Sequence, residues 1–236
     1  MGNNTNDQDQ DVDFNFNYGN FNPDDVQADE IIDAVFVVDT SASIGSFVKD
    51  LNSAFNDFVQ TMQKSHVAEK LFVSVLTFDE VVKVTNGFQP IANIPVMDFG
   101  KNLGGATALY AGAKQGIENA MSYRKTLENS GVNVKTLIFV ITDGEDNHSG
   151  QLNVRSSDVK KMIEDIKKDE STVNSFTTIL FGVGNATHFE AAKDAMGIDF
   201  HATVGATGAE LRKMIGFISA SISSTSSGQK VSAPAF

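Results

Sequence analysis

A carboxylate and two hydroxyl groups alternate within one short segment of the sequence. Asp39, Ser41 and Ser43 occupy every second position of the run DTSAS. Alternate side chains of an extended chain point to the same side, so these three oxygens can approach one point. Hard oxygen donors suit Mg²⁺ or Mn²⁺, whereas zinc is disfavoured because the chain has no cysteine and its histidines are scattered. The segment is therefore a candidate site for a hard divalent cation.

Two later segments carry further oxygen donors beside glycines. The run GGAT at residues 104–107 ends in Thr107, and the run TDGED at residues 142–146 contains Asp143. Glycine lets the backbone come close to a neighbouring group. Each segment taken alone is more typical of a turn or a helix cap. Whether the segments form one site depends on the elements that position them.

Apolar runs and amphipathic segments alternate between residues 31 and 222. Nearly continuous apolar runs such as IIDAVFVV predict strands that are covered on both faces of a sheet. The predicted strands are residues 31–38, 71–78, 81–85, 134–142, 176–183 and 201–204. The predicted helices are residues 47 to about 62, 108–128, 157–168, 188–196 and 208 to about 221, the first capped by Ser46. Residues 86–105 are predicted to be loop because they contain two prolines and end in a glycine pair.

This alternation predicts a doubly wound α/β fold. Its sheet is expected to have six strands, mostly parallel with one antiparallel edge strand, and helices on both faces. Ligands of such sheets bind beyond the carboxyl ends of the strands, where the strand order reverses. Asp39 and Asp143 directly follow buried strands, and Thr107 lies at the entry to a helix. We therefore expect the three segments to converge on one site.

Composition and charge exclude further classes of function and indicate a location. The chain of 236 residues has a formal charge of −12, and residues 1–30 hold seven Asp, one Glu and no basic residue. This acidic stretch is predicted to be a disordered tail, and the Ser-rich residues 223–236 a flexible C-terminal tail. The chain lacks the Lys/Arg stripe that nucleic acid binding needs and the run of about 18 apolar residues that a membrane span needs. With no cysteine and no secretory signal as written, a cytoplasmic location is expected.

The segments DTSAS, GGAT and ITDGEDN, in this order on alternating strands and helices, resemble the metal-ion-dependent adhesion site of a von Willebrand factor A (vWA) domain. The resemblance covers residues 31–222 and matches in full the pattern Asp-x-Ser-x-Ser with a later Thr and Asp. The run TALY after the glycine pair is similar to bacterial intracellular members. The resemblance implies a Rossmann-like vWA fold with an intact metal site.

By this resemblance, Ser41 and Ser43 bind Mg²⁺ directly, while Asp39 and Asp143 act chiefly through bound water. Thr107 alternates between direct and water-mediated contact, and Mn²⁺ or Ca²⁺ are alternative cations. Few direct carboxylates leave the charge of the cation incompletely neutralised, so that a carboxylate of a partner protein can complete its coordination. The resemblance thus implies a protein-binding module and not an enzyme, with an AAA+ ATPase or a stress-resistance complex as the class of partner. The oligomeric state is left undetermined.

Three alternatives stay open at this point. A Mg²⁺-dependent phosphohydrolase of the haloacid dehalogenase type also places an aspartate after its first strand, although it needs a second acid where this chain has Ser41. A scaffold with an inactive metal site would bind its partner whether or not a chelator is present. Glu145 and Asp146 are interpreted as a solvated acidic loop, with tuning of the metal site as the alternative.

Overall fold

A computed structural model describes residues 29–184 and 188–234. In chain order the elements are β1 Glu30–Asp39, α1 Val48–Gln63, β2 Leu71–Phe78, β3 Val82–Pro90, α2 Leu109–Asn129, β4 Asn133–Thr142, α3 Ser156–Lys167, β5 Phe176–Val183, α4 Phe189–Met196, β6 Phe200–Val204 and α5 Gly208–Ser226. Of the acidic stretch predicted to be a tail, only Asp29 and Glu30 are described, and Glu30 already begins β1.

The six strands form one sheet in the order β3-β2-β1-β4-β5-β6. β3 runs antiparallel to β2, and all the other neighbouring pairs are parallel. The predicted fold class is therefore confirmed. From the central strand β1, the chain builds outward through β2 and β3 on one side and through β4, β5 and β6 on the other, so the strand order reverses between β1 and β4.

Alternating residues of β1 belong to two separate hydrophobic cores. Phe36 and Val38 pack on the face covered by α1 and α5, while Val35 and Val37 pack on the face covered by α2, α3 and α4. This alternation follows from the period of two along a strand. The ring of Phe36 lies 5.0 Å from that of Phe55 on α1, so the predicted apolar stripe of that helix does face the sheet. Two covered faces explain why the central strands are apolar throughout.

Three element boundaries differ from those predicted. Ser46 does not cap α1: residues 42–46 form a short 3₁₀ turn, and Phe47 precedes the helix without a side-chain cap. β3 continues to Pro90, whereas these residues were expected to be loop. This is allowed because proline is tolerated at the end of an edge strand.

The third difference lies at the C-terminus. α5 continues to Ser226 instead of ending near Ser221, so residues 223–226 are helix where a flexible tail was predicted. Ile222 and Thr225 are buried on the side of the helix that packs on the core. Tertiary packing therefore outweighs the modest helix propensity of the serines in this segment.

Candidate metal centre

The predicted ligands at the two strand ends lie on neighbouring central strands. Asp39 is the last residue of β1, and Asp143 directly follows the last residue of β4. Val38 pairs with Ile141 across these parallel strands, which brings Asp39 beside Thr142. Both carboxylates therefore lie at the carboxyl edge of the sheet, at the point where the strand order reverses.

Asp39 is buried and joins two of the three predicted segments. One of its oxygens accepts a hydrogen bond from the backbone N–H of Ser41 at 2.8 Å. The other accepts a hydrogen bond from the hydroxyl of Thr142 at 2.6 Å. The carboxylate thus fixes the turn that follows β1 and ties this turn to the end of β4.

The two predicted serine ligands lie next to each other and reach the second carboxylate. The Oγ atoms of Ser41 and Ser43 are 3.0 Å apart. The hydroxyl of Ser43 donates a hydrogen bond of 2.8 Å to Asp143. Ser41 is buried whereas Ser43 is exposed, so the pair extends from the interior of the site to the surface.

The glycine pair brings the third segment against the first. The backbone N–H of Gly104 donates to the carbonyl oxygen of Thr40 at 2.9 Å, and Gly104 forms an isolated parallel bridge with Ser41. A Cβ atom at position 104 would lie 2.4 Å from the Cβ atom of Asp79, closer than any real contact. Glycine is required here because the backbone passes directly over the Asp79 side chain.

The backbone of Thr107 is hydrogen-bonded to Asn147, whereas its side-chain hydroxyl makes no hydrogen bond to the described residues. Its N–H donates to the side-chain oxygen of Asn147 at 2.8 Å, and its carbonyl accepts from the Asn147 N–H at 2.9 Å. Thr107 is only 4% exposed, yet its hydroxyl has no hydrogen-bond partner among the residues that the structure describes. A Cβ atom at Gly144 would lie 3.5 Å from that hydroxyl, so it faces the segment that carries Asp143. A hydroxyl without a protein partner is a free ligand group.

Burial governs the acidity of both carboxyl groups. It raises the pKa of Asp39 to about 6, although hydrogen bonds from Thr142 and Ser41 act in the opposite direction, and the nearby charge of Asp143 raises this pKa further. Burial also raises the pKa of Asp143, against the hydrogen bond from Ser43. Burial thus disfavours the negative charge of both carboxyl groups, and a cation beside them would offset this effect.

These groups fit a hard divalent cation. Together the three segments offer hydroxyl oxygens from Ser41, Ser43 and Thr107 and carboxylate oxygens from Asp39 and Asp143. Mg²⁺ prefers such oxygens and retains several of its waters in protein sites. In the described part of the chain, no three His, Cys, Asp or Glu side chains are grouped as a metal site, so hydroxyl groups would have to supply much of the coordination.

Sequence reasoning gave no role to several residues that shape the site. Thr142 bonds Asp39, and Asn147 holds both backbone groups of Thr107. Asp146, interpreted as part of a solvated loop, instead accepts hydrogen bonds from the N–H of Tyr110 in the first turn of α2 and from the hydroxyl of Ser149. The only sequence signal for these contacts was the proximity of Asn147 and Asp146 to Asp143.

The structure therefore defines a class: a doubly wound α/β domain with a hydroxyl and carboxylate site at the point where the strand order reverses. The sequence model of the von Willebrand factor type A domain matches residues 33–195, more than half of the chain. The chain belongs to the von Willebrand factor type A domain family. Members of this family are mainly interaction modules, typically metal-dependent ones, rather than enzymes.

Solved structures with a similar fold come from several sources. The PilB minor pilin of Streptococcus sanguinis is 15% identical with a TM-score of 0.57, covering 84% of this chain and 62% of the pilin. The pilus adhesin SpaC of Lactobacillus rhamnosus GG, in its open conformation, is 12% identical with a TM-score of 0.60, covering 82% of this chain and 30% of the adhesin. This chain therefore spans less than two thirds of the length of either protein.

A mussel protein supplies a third similar structure. Proximal thread matrix protein 1 from the mussel byssus, in a form with zinc in its metal-ion-dependent adhesion site, is 15% identical with a TM-score of 0.52. The match covers 82% of this chain and 46% of the mussel protein. At these identities the likenesses show the shared fold alone.

Neither a curated relative nor, among the described residues, a membrane-spanning helix was found. A search of curated proteins found no match to the sequence. Among the described helices, none is both long enough and apolar enough to cross a membrane.

Proposed function

We propose that this chain is a divalent-cation-dependent protein-binding module of the adhesion or assembly type. The cation is Mg²⁺, with Mn²⁺ or Ca²⁺ as alternatives. Ser41 and Ser43 hold it through their hydroxyls, Asp39 and Asp143 act chiefly through bound water, and Thr107 adds its hydroxyl directly or through water. When bound, the cation supplies an electrophilic centre that accepts a carboxylate from the partner protein.

One observation carries this proposal: three segments far apart in the sequence converge, and the hydroxyl of the buried residue Thr107 has no hydrogen-bond partner within the described residues. Asp39 and Ser43 bond Thr142 and Asp143 over separations of 103 and 100 residues. The Thr107 hydroxyl faces this cluster and has no hydrogen-bond partner in the described part of the chain. This hydroxyl is therefore available as an oxygen ligand for a cation.

The partner and the location of the protein follow from resemblance alone. An AAA+ ATPase or a stress-resistance complex in the cytoplasm is proposed as the partner. The pilus adhesin and minor pilin among the structural neighbours are consistent with a binding role but not with this particular location. No observation favours the alternative of a haloacid dehalogenase-type phosphohydrolase, because the position of its second acid is occupied by Ser41.

The metal-binding part of the proposal is tested by removing two ligand hydroxyls. The double variant Ser41→Ala and Ser43→Ala should lose Mg²⁺ binding in isothermal titration calorimetry and keep its fold, because both side chains lie in the turn after β1 and belong to neither hydrophobic core. A matched double variant, Ser46→Ala and Ser53→Ala, changes two exposed serines outside the site and should bind Mg²⁺ like the wild type. Equal Mg²⁺ binding by both double variants would contradict the assigned ligands.

The partner-binding part is tested by capture from a native lysate in Mg²⁺ or in EDTA. Proteins should be retained in Mg²⁺, released by EDTA, and not retained by the Ser41→Ala and Ser43→Ala variant. Converting the carboxyl groups of the lysate proteins to amides should abolish capture. Capture that is indifferent to EDTA would favour a scaffold with an inactive metal site.

A further inference from the structure

The loops around the candidate metal centre are strongly acidic. Residues 39–46, 79–81, 100–107 and 143–148 hold six acidic residues and a single lysine, Lys101. A divalent cation in the centre and Lys83, which pairs with Asp79, remove only part of this excess and leave a formal charge of −2 on the face. A partner that offers only negative charge would therefore meet net repulsion at this face.

Two of these acids are exposed on opposite sides of the centre. Glu80 lies in the turn after β2, and a Cβ atom at Gly105 would be 3.0 Å from its carboxylate. Glu145 lies beyond Asp143, on the side of β5, and its side chain is 72% exposed. Glu80 follows β2, on one side of β1, and Glu145 follows β4 and contacts His188, which lies beyond the end of β5. In the strand order β2-β1-β4-β5, Glu80 and Glu145 therefore flank the centre, which lies at the ends of β1 and β4.

Neither flanking acid is matched by a permanent positive charge of this chain. Glu145 contacts the imidazole of His188 at 3.2 Å, and Glu80 forms no ion pair with any residue that the structure describes. By contrast, Asp79, in the same turn as Glu80, is paired with Lys83 at 3.4 Å. The two flanking carboxylates are therefore available to a cationic group of another molecule.

A second observation, independent of charge, marks the point between these acids where a ligand binds. The residue Thr107 is buried, and its hydroxyl faces Gly144 and lacks a hydrogen-bond partner within residues 29–184 and 188–234. This hydroxyl belongs to the centre that is proposed to hold the cation. The face thus combines a central position for a carboxylate with negative charge on either side.

We infer that the partner segment carries a single Asp or Glu flanked closely by Lys or Arg. This inference rests on the proposed function. The carboxylate of the segment completes the coordination of the cation, and its basic side chains lie against Glu80 and Glu145. A segment in which the carboxylate is flanked by further acids is disfavoured, because the face stays negative after the cation has bound.

The expected gain in affinity from the basic side chains can be estimated from the strength of exposed ion pairs. A single pair of this kind changes affinity by about two- to fivefold and is weakened by salt. Complementary charge also speeds encounter, chiefly at low ionic strength. The two flanking acids together should therefore favour a basic-flanked carboxylate by about four- to twenty-fivefold over one with neutral flanks, if the two pairs act independently.

The experiment is selection from a random peptide library displayed on phage. Phage are bound to the immobilised full chain in Mg²⁺ and eluted with EDTA, so that only cation-dependent peptides are sequenced. We expect Asp or Glu in the eluted peptides, with Lys or Arg enriched within three positions of it. Synthetic peptides from this pool, with the basic residues replaced by Ser, should bind about four- to twenty-fivefold more weakly in low salt.

A charge-matched pair of variants identifies the face responsible. Selection against the double variant Glu80→Gln and Glu145→Gln should lose the enrichment in Lys and Arg and keep the enrichment in Asp and Glu. The control, Glu164→Gln and Glu170→Gln, removes two exposed acids on and after α3 and should give the wild-type pattern. Equal enrichment in both variants would overturn the assignment to Glu80 and Glu145.

The outcomes separate this inference from the proposed function. An EDTA-eluted pool rich in Asp and Glu but without neighbouring Lys or Arg would overturn the inference and support the proposed function. A pool without Asp or Glu, or no EDTA-dependent pool at all, would overturn both. The expected pool, lost on the Ser41→Ala and Ser43→Ala variant, would support both.

Discussion

Asp39 is connected at both of its oxygens, and each connection has a different role. The bond from the Ser41 N–H shapes the turn after β1, and the bond from the Thr142 hydroxyl joins β1 to β4. Thr142 belongs to no ligand set, yet it orients a proposed ligand. At this scale the site depends on a hydroxyl that supports a carboxylate as much as on the groups that face the cation.

The Thr142 hydroxyl can be tested with a substitution of nearly the same shape. Thr142→Val leaves one buried oxygen of Asp39 without its partner and should destabilise the fold by about 1–3 kcal/mol in urea unfolding. Thr136→Val is the matched control on the same strand, because the Thr136 hydroxyl is buried and has no hydrogen-bond partner within the described residues. This control should leave stability equal or raise it. An equal loss in both variants would contradict the role of the Thr142 bond.

At the scale of elements, helix α1 holds the segment that leads to the glycine pair. The side chain of Asn56 donates to the carbonyl of Met97 and accepts from its N–H, both at 2.9 Å. One turn earlier, the side chain of Asn52 accepts from the N–H of Phe99 at 2.9 Å. The two asparagine side chains thus bond the backbone of this segment in the way that a neighbouring strand would. They fix the approach of the chain to Gly104.

Removing the Asn56 side chain should loosen this segment. Asn56→Ala leaves the N–H and the carbonyl of Met97 without their partner and should cost about 1–3 kcal/mol in the free energy of unfolding. Amide hydrogen exchange of residues 97–100 should become faster while that of the central strands stays slow. Gln60→Ala, at an exposed position of the same helix, should change neither quantity appreciably. Unchanged exchange at Met97 and Phe99 in Asn56→Ala would contradict this role.

At the scale of the whole molecule, the strand that ends in the candidate site carries a buried carboxyl group near its start. Asp33 on β1 is fully buried, and neither of its oxygens has a hydrogen-bond partner in the part of the chain that the structure describes. Burial raises the pKa of Asp33 well above its usual value, with Arg124 acting against this shift and Glu128 adding to it. Both Arg124 and Glu128 lie on α2.

This buried acid should make stability depend on pH. A carboxyl group with a raised pKa in the folded state contributes stability that is fully present below its unfolded pKa, about 3.9, and is lost as the pH rises through the folded pKa. Asp33→Asn removes that titration. The stability of the variant relative to the wild type should therefore increase with pH, by up to about 1.4 kcal/mol per pH unit between these two pKa values.

Urea unfolding of both proteins between pH 4 and pH 8 measures this difference. A difference that stays constant over the range would mean that folding does not change the pKa of Asp33. Wild-type stability alone is not sufficient, because many other carboxylates titrate over the same range, and only the difference between the two proteins isolates Asp33.

Much of this architecture was predictable because it depends on local patterns. Apolar runs and helical periods indicated the six strands and five α-helices found in the described residues, and the carboxylate and hydroxyl residues marked the loops of the site. The length of β3 and the end of α5 were not predictable, since Pro90 and the serine-rich segment are accommodated by pairing and packing with distant residues.

The amino-acid order by itself determined the alternation of strands and helices, and with it the edge of the sheet at which Asp39, Thr107 and Asp143 lie. Only the tertiary structure decided which polar groups satisfy one another and which stay free. The hydroxyl of Thr142 bonds Asp39, and the side chain of Asn147 bonds the backbone of Thr107. The Thr107 hydroxyl is left without a partner among the described residues. The reason is physical: a periodic pattern is a property of neighbouring residues, whereas a hydrogen bond across about 100 residues exists only once the chain has folded.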